Sequence, residues 1–366
     1  MVVRISISRN RRCSDEEDIC HNRWHPDIKP AAEVEPGEEV VLETRDAFDG
    51  QITDAPSVDD VVRADLGVVH PLTGPIYVKG AEPGDVLAVH ILDITPDEFG
   101  FTVNVPGFGF LRDVFRDPYK IRWRISGFYA ESPDLPNVRV PGAPFMGTIG
   151  VAPSRELLTK WRSREDEVAK KGGYVLPPDP RGAVPRREPI ASEGLRTIPP
   201  RENGGNLDIK DLAPGSILYL PVFVKGALFS AGDAHFAQGN GEVCGTAIEM
   251  RASLRVKFEV VKDGMRRLGV TRPVFKPSPL VERFRNYFCL GGFNFHNAED
   301  ATQAARDAVL NMVSVLEGVG LNRYQAYLLF SVVGDLKLSQ VVDVPNYTVS
   351  SCLPLDVFTK PIQLPV

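Results

Sequence analysis

The residues best suited to do chemistry crowd into one stretch, NGGNLDIKDLAPGSILYLPVFVKGALFSAGDAHFAQGNGEVCGTAIE, residues 203–249. Asp208 follows an Asn-Gly-Gly-Asn run that lets backbone come close and leaves room for something small. Asp233 and His235 form a D-x-H pair, and side chains two apart on an extended strand point to the same face. Gln238, Asn240 and Glu242 continue that spacing, although Gly239 and Gly241 favour a bend over a straight strand. Carboxylates, an imidazole and amides are thus gathered with little bulk between them. Hard oxygen ligands with one imidazole suit a divalent ion such as Zn²⁺. The same residues also fit a polar loop crossing the mouth of a sheet, and spacing alone does not choose between the two.

A second cluster, His21-Asn22-Arg23-Trp24-His25-Pro26-Asp27, has two histidines four apart, the spacing of a helical metal pair. Pro26 disfavours helix at His25, so substrate-pocket or interface roles are expected for His21 and His25 ahead of metal ligation. Asp46, Asp49 and Gln51 follow where a strand runs into an acidic turn. His70 precedes PLTGP, His90 reads as a core histidine inside an apolar strand, and His296 as a cap or surface residue. There is no GxSxG elbow for a serine nucleophile and no phosphate-binding glycine loop after a strand. Cys244, in GEVCGTA, is the one cysteine near the polar cluster and reads as a small buried hydrophobe rather than a nucleophile.

The elements that must position these residues are mostly strands. VVLETRD, DVLAVHILDI, SILYLPVFV and SLRVKFEVV are rich in Val, Ile, Leu and Phe, several alternating with period two. Three of them are preceded by the same punctuation: Glu35-Pro36-Gly37-Glu38, Glu82-Pro83-Gly84-Asp85 and Ala213-Pro214-Gly215-Ser216. Proline fixes φ and the next glycine accepts φ > 0, so each predicts a type II turn feeding a strand. Ser154 caps a predicted helix, RELLTKWRSREDEVAKK, that stops at Gly172-Gly173. Residues 174–205 carry seven prolines and read as an ordered, winding excursion or lid. After Asp300 a helix is predicted with apolar positions Ala301, Ala304, Ala305, Ala308, Met312 and Val315, then a second, RYQAYLLFSVVGD, and a returning strand in QVVDVPNYTVSSCLP.

The expected fold class is therefore β-rich α+β. It comprises an N-terminal β-rich part (1–153), the helix and Pro-rich excursion (154–205), a β-rich catalytic part (206–285) and a C-terminal helical part (286–366), packed as one unit. With 366 residues, 43% hydrophobic and 25% charged, the chain can bury a sizeable core. A net charge of −6 argues against nucleic-acid or anionic-membrane partners. No leader-like apolar run or membrane span is visible. The five cysteines, odd in number and without a CxxC pair, read as reduced thiols in a cytoplasmic protein.

At these motifs the sequence resembles the acetamidase/formamidase family. HPLTGPIYVKGAEPGDVLAVHILDI (70–94), MGTIGVAP (146–153), the 204–249 stretch and AYLLFSVVGDLKLSQVVDVPN carry the likeness, with HNRWHPDI resembling the N-terminal segment of the formamidase-like branch. The resemblance implies a β-sandwich body with a C-terminal helical hairpin. It further implies a homo-oligomer, a bound divalent metal (zinc, with calcium a second candidate) and hydrolysis of short carboxamides to carboxylate and ammonia. Carried over, the family's acidic and histidine positions fall on Asp46, Asp208, Asp233, His235 and Glu242. On that reading Asp208, Asp233 and His235 form the metal shell, Asp46 is a fourth ligand or substrate acceptor, and Glu242 is the general base. Asn240, Gln238 or backbone N–H groups would stabilise the oxyanion. The family typically reads GDGE where this chain has Gly239-Asn240-Gly241-Glu242, so Asn240 either alters the site or simply holds the turn, since Asn tolerates φ > 0. Two rivals stand beside this: an amidase for a bulkier or aryl amide, its pocket shaped by residues 174–205, and a non-catalytic binding protein on the same scaffold.

Overall fold

The structure is a computed structural model and describes residues 2–279 and 284–362. The strands that position the site are, in chain order, β1 (Glu39–Thr44), β2 (Leu72–Val78), β3 (Val86–Asn104), β4 (Phe145–Gly150), β5 (Gly204–Asn206), β6 (Ile217–Pro221), β7 (Phe229–His235) and β8 (Glu249–Val261). All eight belong to one branched 15-stranded sheet whose main path runs through β3, β8, β7, β4 and β5. Its inward residues, among them Leu42, Val89, Ile149, Phe229, Leu254 and Phe258, form one continuous buried core. Three further strands, β9 (Tyr287–Phe293), β10 (Asp335–Gln340) and β11 (Thr348–Pro354), make a separate antiparallel sheet in the order β9-β11-β10.

All three Pro-Gly turns form as their composition dictates. Gly37, Gly84 and Gly215 take φ of 92°, 98° and 93°, and in each the fourth residue's N–H reaches back to the first carbonyl at 3.0–3.2 Å. They launch β1, β3 and β6.

The helices also follow their caps. In α1 (Arg155–Lys170) the Ser154 side chain accepts from Leu157 N, and Gly172 in the left-handed region closes the end. Asp300 and Asn322 cap α2 (Ala301–Gly318) and α3 (Arg323–Val333) by accepting from Gln303 N and Gln325 N. Ala304, Ala308 and Met312 are fully buried with Val309, Val313 and Leu316, while Ala301, Ala305 and Val315 are half-buried, so the apolar face is turned slightly from the predicted stripe. The returning strand begins at Thr348; residues 341–347 are a loop joining β10 to β11.

One sequence expectation is overturned. Cys13–Cys20 and Cys289–Cys352 are disulfides, and Cys244 alone is free. The second pair is 63 residues apart in sequence yet directly opposite in the β9–β11 register, a juxtaposition that spacing cannot announce. The cysteine argument for a reducing compartment falls with it. No helix among the described residues is long and apolar enough to cross a membrane.

Candidate active site

β7 brings the site together because its neighbours place a polar side chain beside each of its own. His235 lies opposite Phe145 of β4 on one side and Glu249 of β8 on the other. Thr148 of β4 lies opposite Gly232 and also opposite Asn206 of β5. The D-x-H pair does converge: His235 Nε2 is 3.2 Å from Asp233 Oδ1 and 3.2 Å from Glu249 Oε2. The strand is not regular there, since Asp233 has φ 57°. Asp208 (48°) and Glu242 (41°) are likewise left-handed. Such a conformation costs a side-chain-bearing residue on the order of 1–2 kcal/mol, and three acids of one cluster share it. Strain concentrated in this way marks a constellation held by its surroundings.

Two groupings share His235: Asp208, Asp233 and His235, and His235, Glu242 and Glu249, with one donor atom from each within 4.8 Å of the others. Gln238 sits behind the imidazole. Its Nε2 donates to Asp208 O at 2.8 Å, which turns Oε1 toward His235 Nδ1, also at 2.8 Å. Nδ1 therefore carries a proton and Nε2 faces the acids, whose charges favour a second proton or a cation there. Burial would lower His235, but Glu249 and Asp233 outweigh it and raise the imidazole well above its usual range.

The electrostatics follow from burying so many acids together. Burial, reinforced by the Asp233 charge, pushes Asp208 up to about 7. Burial pushes Glu249 up to about 7, and burial with Asp208 raises Glu242 well above the usual carboxylate range. Burial would raise Asp233 too, but His70 and His235 outweigh it and hold that carboxyl low. Burial lowers His70.

The cluster suits a cation. Asp208 Oδ1 is buried without a hydrogen-bond partner, and Glu249 Oε2 has only the His235 imidazole beside it, a condition that ordinarily costs a charged group dearly. Gly147 leaves the space in which the donors meet: a Cβ there would lie 2.6 Å from both Asp208 Oδ1 and Asp233 Oδ2 and 2.8 Å from His235 Cε1. Carboxylate oxygens with one imidazole nitrogen are a donor set for zinc or a harder divalent ion.

The site opens into a cavity of about 230 Å³. Its polar end is formed by His70, Asn206, Asp208, Asp233, Glu242 and Glu249. His70 Nε2 is 3.8 Å from Asp233 Oδ2, and Thr148 Oγ1 is 3.1 Å from the same oxygen. Glu242 is clamped from both flanks by the last helix, α3. Gly239 N donates to Ser331 O at 2.8 Å, Cys244 N to Ser331 Oγ at 3.1 Å, Ser331 Oγ to Thr246 O at 2.8 Å and Tyr327 OH to Val243 O.

The structure thus gathers Asp208, Asp233, His235 and Glu242, with Gln238 as the group that orients the imidazole rather than one facing the cavity. Other expected site residues lie elsewhere. Asp46 caps its own turn, Oδ1 accepting from Phe48 N (3.1 Å) and Gly50 N (3.0 Å). His21 is a satisfied core residue, Nδ1 donating to Arg23 O and Nε2 accepting from Ser230 Oγ, both at 2.8 Å. His25 accepts from Asp27 N and donates to Glu193 at 3.2 Å. Neither histidine lines the cavity. Asn240 is exposed, its N–H on Asp335 Oδ1 (3.0 Å) and its carbonyl accepting from Leu336 N (3.0 Å). It holds the turn, but the left-handed positions are Gly241 and Glu242 rather than Asn240. His90 is half-buried beside Glu259 at 3.3 Å, and His296 is exposed.

Glu249, His70, Asn206 and Thr148 went unassigned in the sequence. For Glu249 a signal exists: a carboxylate entering a strand straight after the apolar GTAI run. Cys244 is fully buried, and burial pushes its thiol up to about 11, which removes it as a nucleophile at neutral pH.

A β-rich scaffold with a buried acid–imidazole cluster at the base of a small cavity defines a hydrolase-like site, and comparison with known proteins gives it a lineage. The chain belongs to the acetamidase/formamidase family, whose sequence pattern matches residues 6–360. It is similar to the formamidase of Methylophilus methylotrophus (38% identical, covering 98% of this chain and 94% of that protein). It is also similar to the acetamidase of Mycolicibacterium smegmatis (40% identical, 89% and 88%). Among solved structures a gamma lactamase from Delftia acidovorans superposes with a TM-score of 0.94 at 38% identity, covering 99% of this chain and 95% of that one.

Proposed function

We propose that this protein is an amidase that hydrolyses the C–N bond of a small carboxamide, giving a carboxylate and ammonia. The observation that carries the reading is the buried Asp208–Asp233–His235–Glu242–Glu249 cluster at the base of a cavity, in a chain that matches the amidase family over nearly its full length. Asp208, Asp233 and His235, with Glu249 beside the same imidazole nitrogen, would hold a divalent ion, zinc being the first candidate and calcium the second. When bound, such an ion supplies Lewis acidity, polarising a carbonyl and acidifying water. Glu242, a carboxyl lining the cavity, would take a proton from water and deliver it to the departing nitrogen. Gln238 fixes the imidazole tautomer, and His70 and Asn206 are the polar groups left to bind the amide.

The test is ammonia release from formamide, acetamide and a larger amide, and ring-opened amino acid from a lactam, with and without a chelator, alongside metal analysis of the purified protein. Asp208→Asn and His235→Ala should abolish turnover in folded protein; near-full activity in either would remove that residue from the site. Activity insensitive to chelation in metal-free protein would remove the ion. The exposed Leu338, Val341, Val342 and Val344 support self-association into a homo-oligomer, which light scattering would test.

A further inference from the structure

The cavity has a second end that the hydrolysis of formamide does not use. Ala47, Phe48, Leu66, Val69, Phe108 and Ile198 line the same cavity as the acids and belong to one hydrophobic cluster, an apolar wall. These residues come from separate parts of the chain. Ala47 and Phe48 sit on the turn that Asp46 caps, and Leu66 and Val69 on the segment before β2. Phe108 sits on the loop after β3, where its ring lies 2.7 Å from the position a Cβ on Gly245 would take. Ile198 belongs to the Pro-rich excursion. Among the described residues lining the cavity none is Lys or Arg.

Size settles what fits. At roughly 30 Å³ per water-sized group, a cavity of about 230 Å³ has room for several non-hydrogen atoms beyond the three of a carboxamide. A formamide would leave the apolar wall facing water, which apolar surface disfavours.

Resting on the amidase reading, the geometry points to a carboxamide bearing an uncharged apolar substituent of about four to five carbons as the preferred substrate class. The carboxamide lies against the acid–imidazole end and the hydrocarbon against the Phe48–Phe108–Ile198 wall. The wall carries no partner for a charged substituent, so carboxylated or cationic amides are excluded from that end.

The experiment is a homologous series on the purified full chain, from formamide and acetamide through butanamide and pentanamide to octanamide, read as kcat/KM from ammonia release. Each buried methylene should raise kcat/KM about fourfold, so pentanamide should exceed formamide by on the order of 100-fold, with a fall once the chain outgrows the cavity. Ala47→Phe, which fills the apolar end, should move the optimum to shorter chains. Ile198→Ala, which enlarges that end, should move it to longer ones and keeps the test open if the first variant does not fold. A series that is flat within twofold, or that declines steadily from formamide, overturns the inference and leaves the amidase reading standing. An optimum that neither variant moves also overturns it. Absence of turnover on every amide overturns the amidase reading itself.

Discussion

Gly147→Ala should inactivate this protein without unfolding it. Gly147 lies in β4, its φ is outside the left-handed region, and its carbonyl accepts from Leu207 N at 2.9 Å and Asp208 N at 3.3 Å. Alanine is therefore conformationally acceptable, and the backbone bonds that hold Asp208 are retained. The added methyl, however, would stand 2.6 Å from both Asp208 Oδ1 and Asp233 Oδ2, where ordinary contact begins at 3.4 Å. Both carboxylates must retreat by about 0.8 Å. Misplacing reacting groups by about 1 Å costs roughly 10²-fold in rate, so kcat/KM should fall about 100-fold. Metal content should fall with it, because the same oxygens are the proposed ligands. Ammonia-release kinetics, metal analysis and a thermal melt on the one variant decide the matter. Activity within threefold of wild type, with metal content unchanged, would refute the claim that the donors converge on the space Gly147 leaves open.

Three further outcomes follow from the described geometry. Burial lowers His21 to about 4 from an ordinary value of 6.5, so the unfolded chain binds the proton first. Stability should fall as pH drops below 6.5 and level off below about 4, by about 3 kcal/mol in total; denaturant titrations of His21→Gln should lack that dependence. Reducing the protein should destabilise it, by about 2.5 kcal/mol for the short Cys13–Cys20 loop and about 4 kcal/mol for Cys289–Cys352 on loop-closure entropy; equal melting temperatures with and without reductant would show that the bonds do not form. Thiol alkylation at pH 7.5 should leave activity intact, since Cys244 is buried with its thiol pushed up to about 11; inactivation in step with Cys244 labelling would reinstate it.

Much of the scaffold was legible because its signals are local. A Pro-Gly turn or a Ser cap needs only its immediate neighbours, and all three turns and the Ser154 cap formed. The D-x-H pair was legible for the same reason. Glu249 was not, because it reaches His235 through strand register across β7 and β8. The reverse error came from His21 and His25, whose spacing suggested chemistry although burial and backbone partners had already consumed their ring nitrogens. Asp46 misled in the same way: a carboxylate at the end of a strand serves equally well as a turn cap. Asn240, the departure from the family pattern, proved to be an exposed turn residue bonded to Asp335 and Leu336.

The clamp on Glu242 carries a consequence for how the enzyme is made. The acids and imidazole of the site lie between residues 208 and 249, but part of what holds residues 239–246 in place, beside bonds to Val103 and Phe110, belongs to residues 327–336. At elongation rates of ~5–20 residues per second, the ribosome needs on the order of 4–16 s to pass from residue 249 to residue 327. Through that interval the nascent chain has every donor of the cluster but lacks the α3 side of the clamp on Glu242. A message broken within it would yield a chain complete in its catalytic alphabet but with Glu242 less firmly held, so the last helix is the part that completes the site.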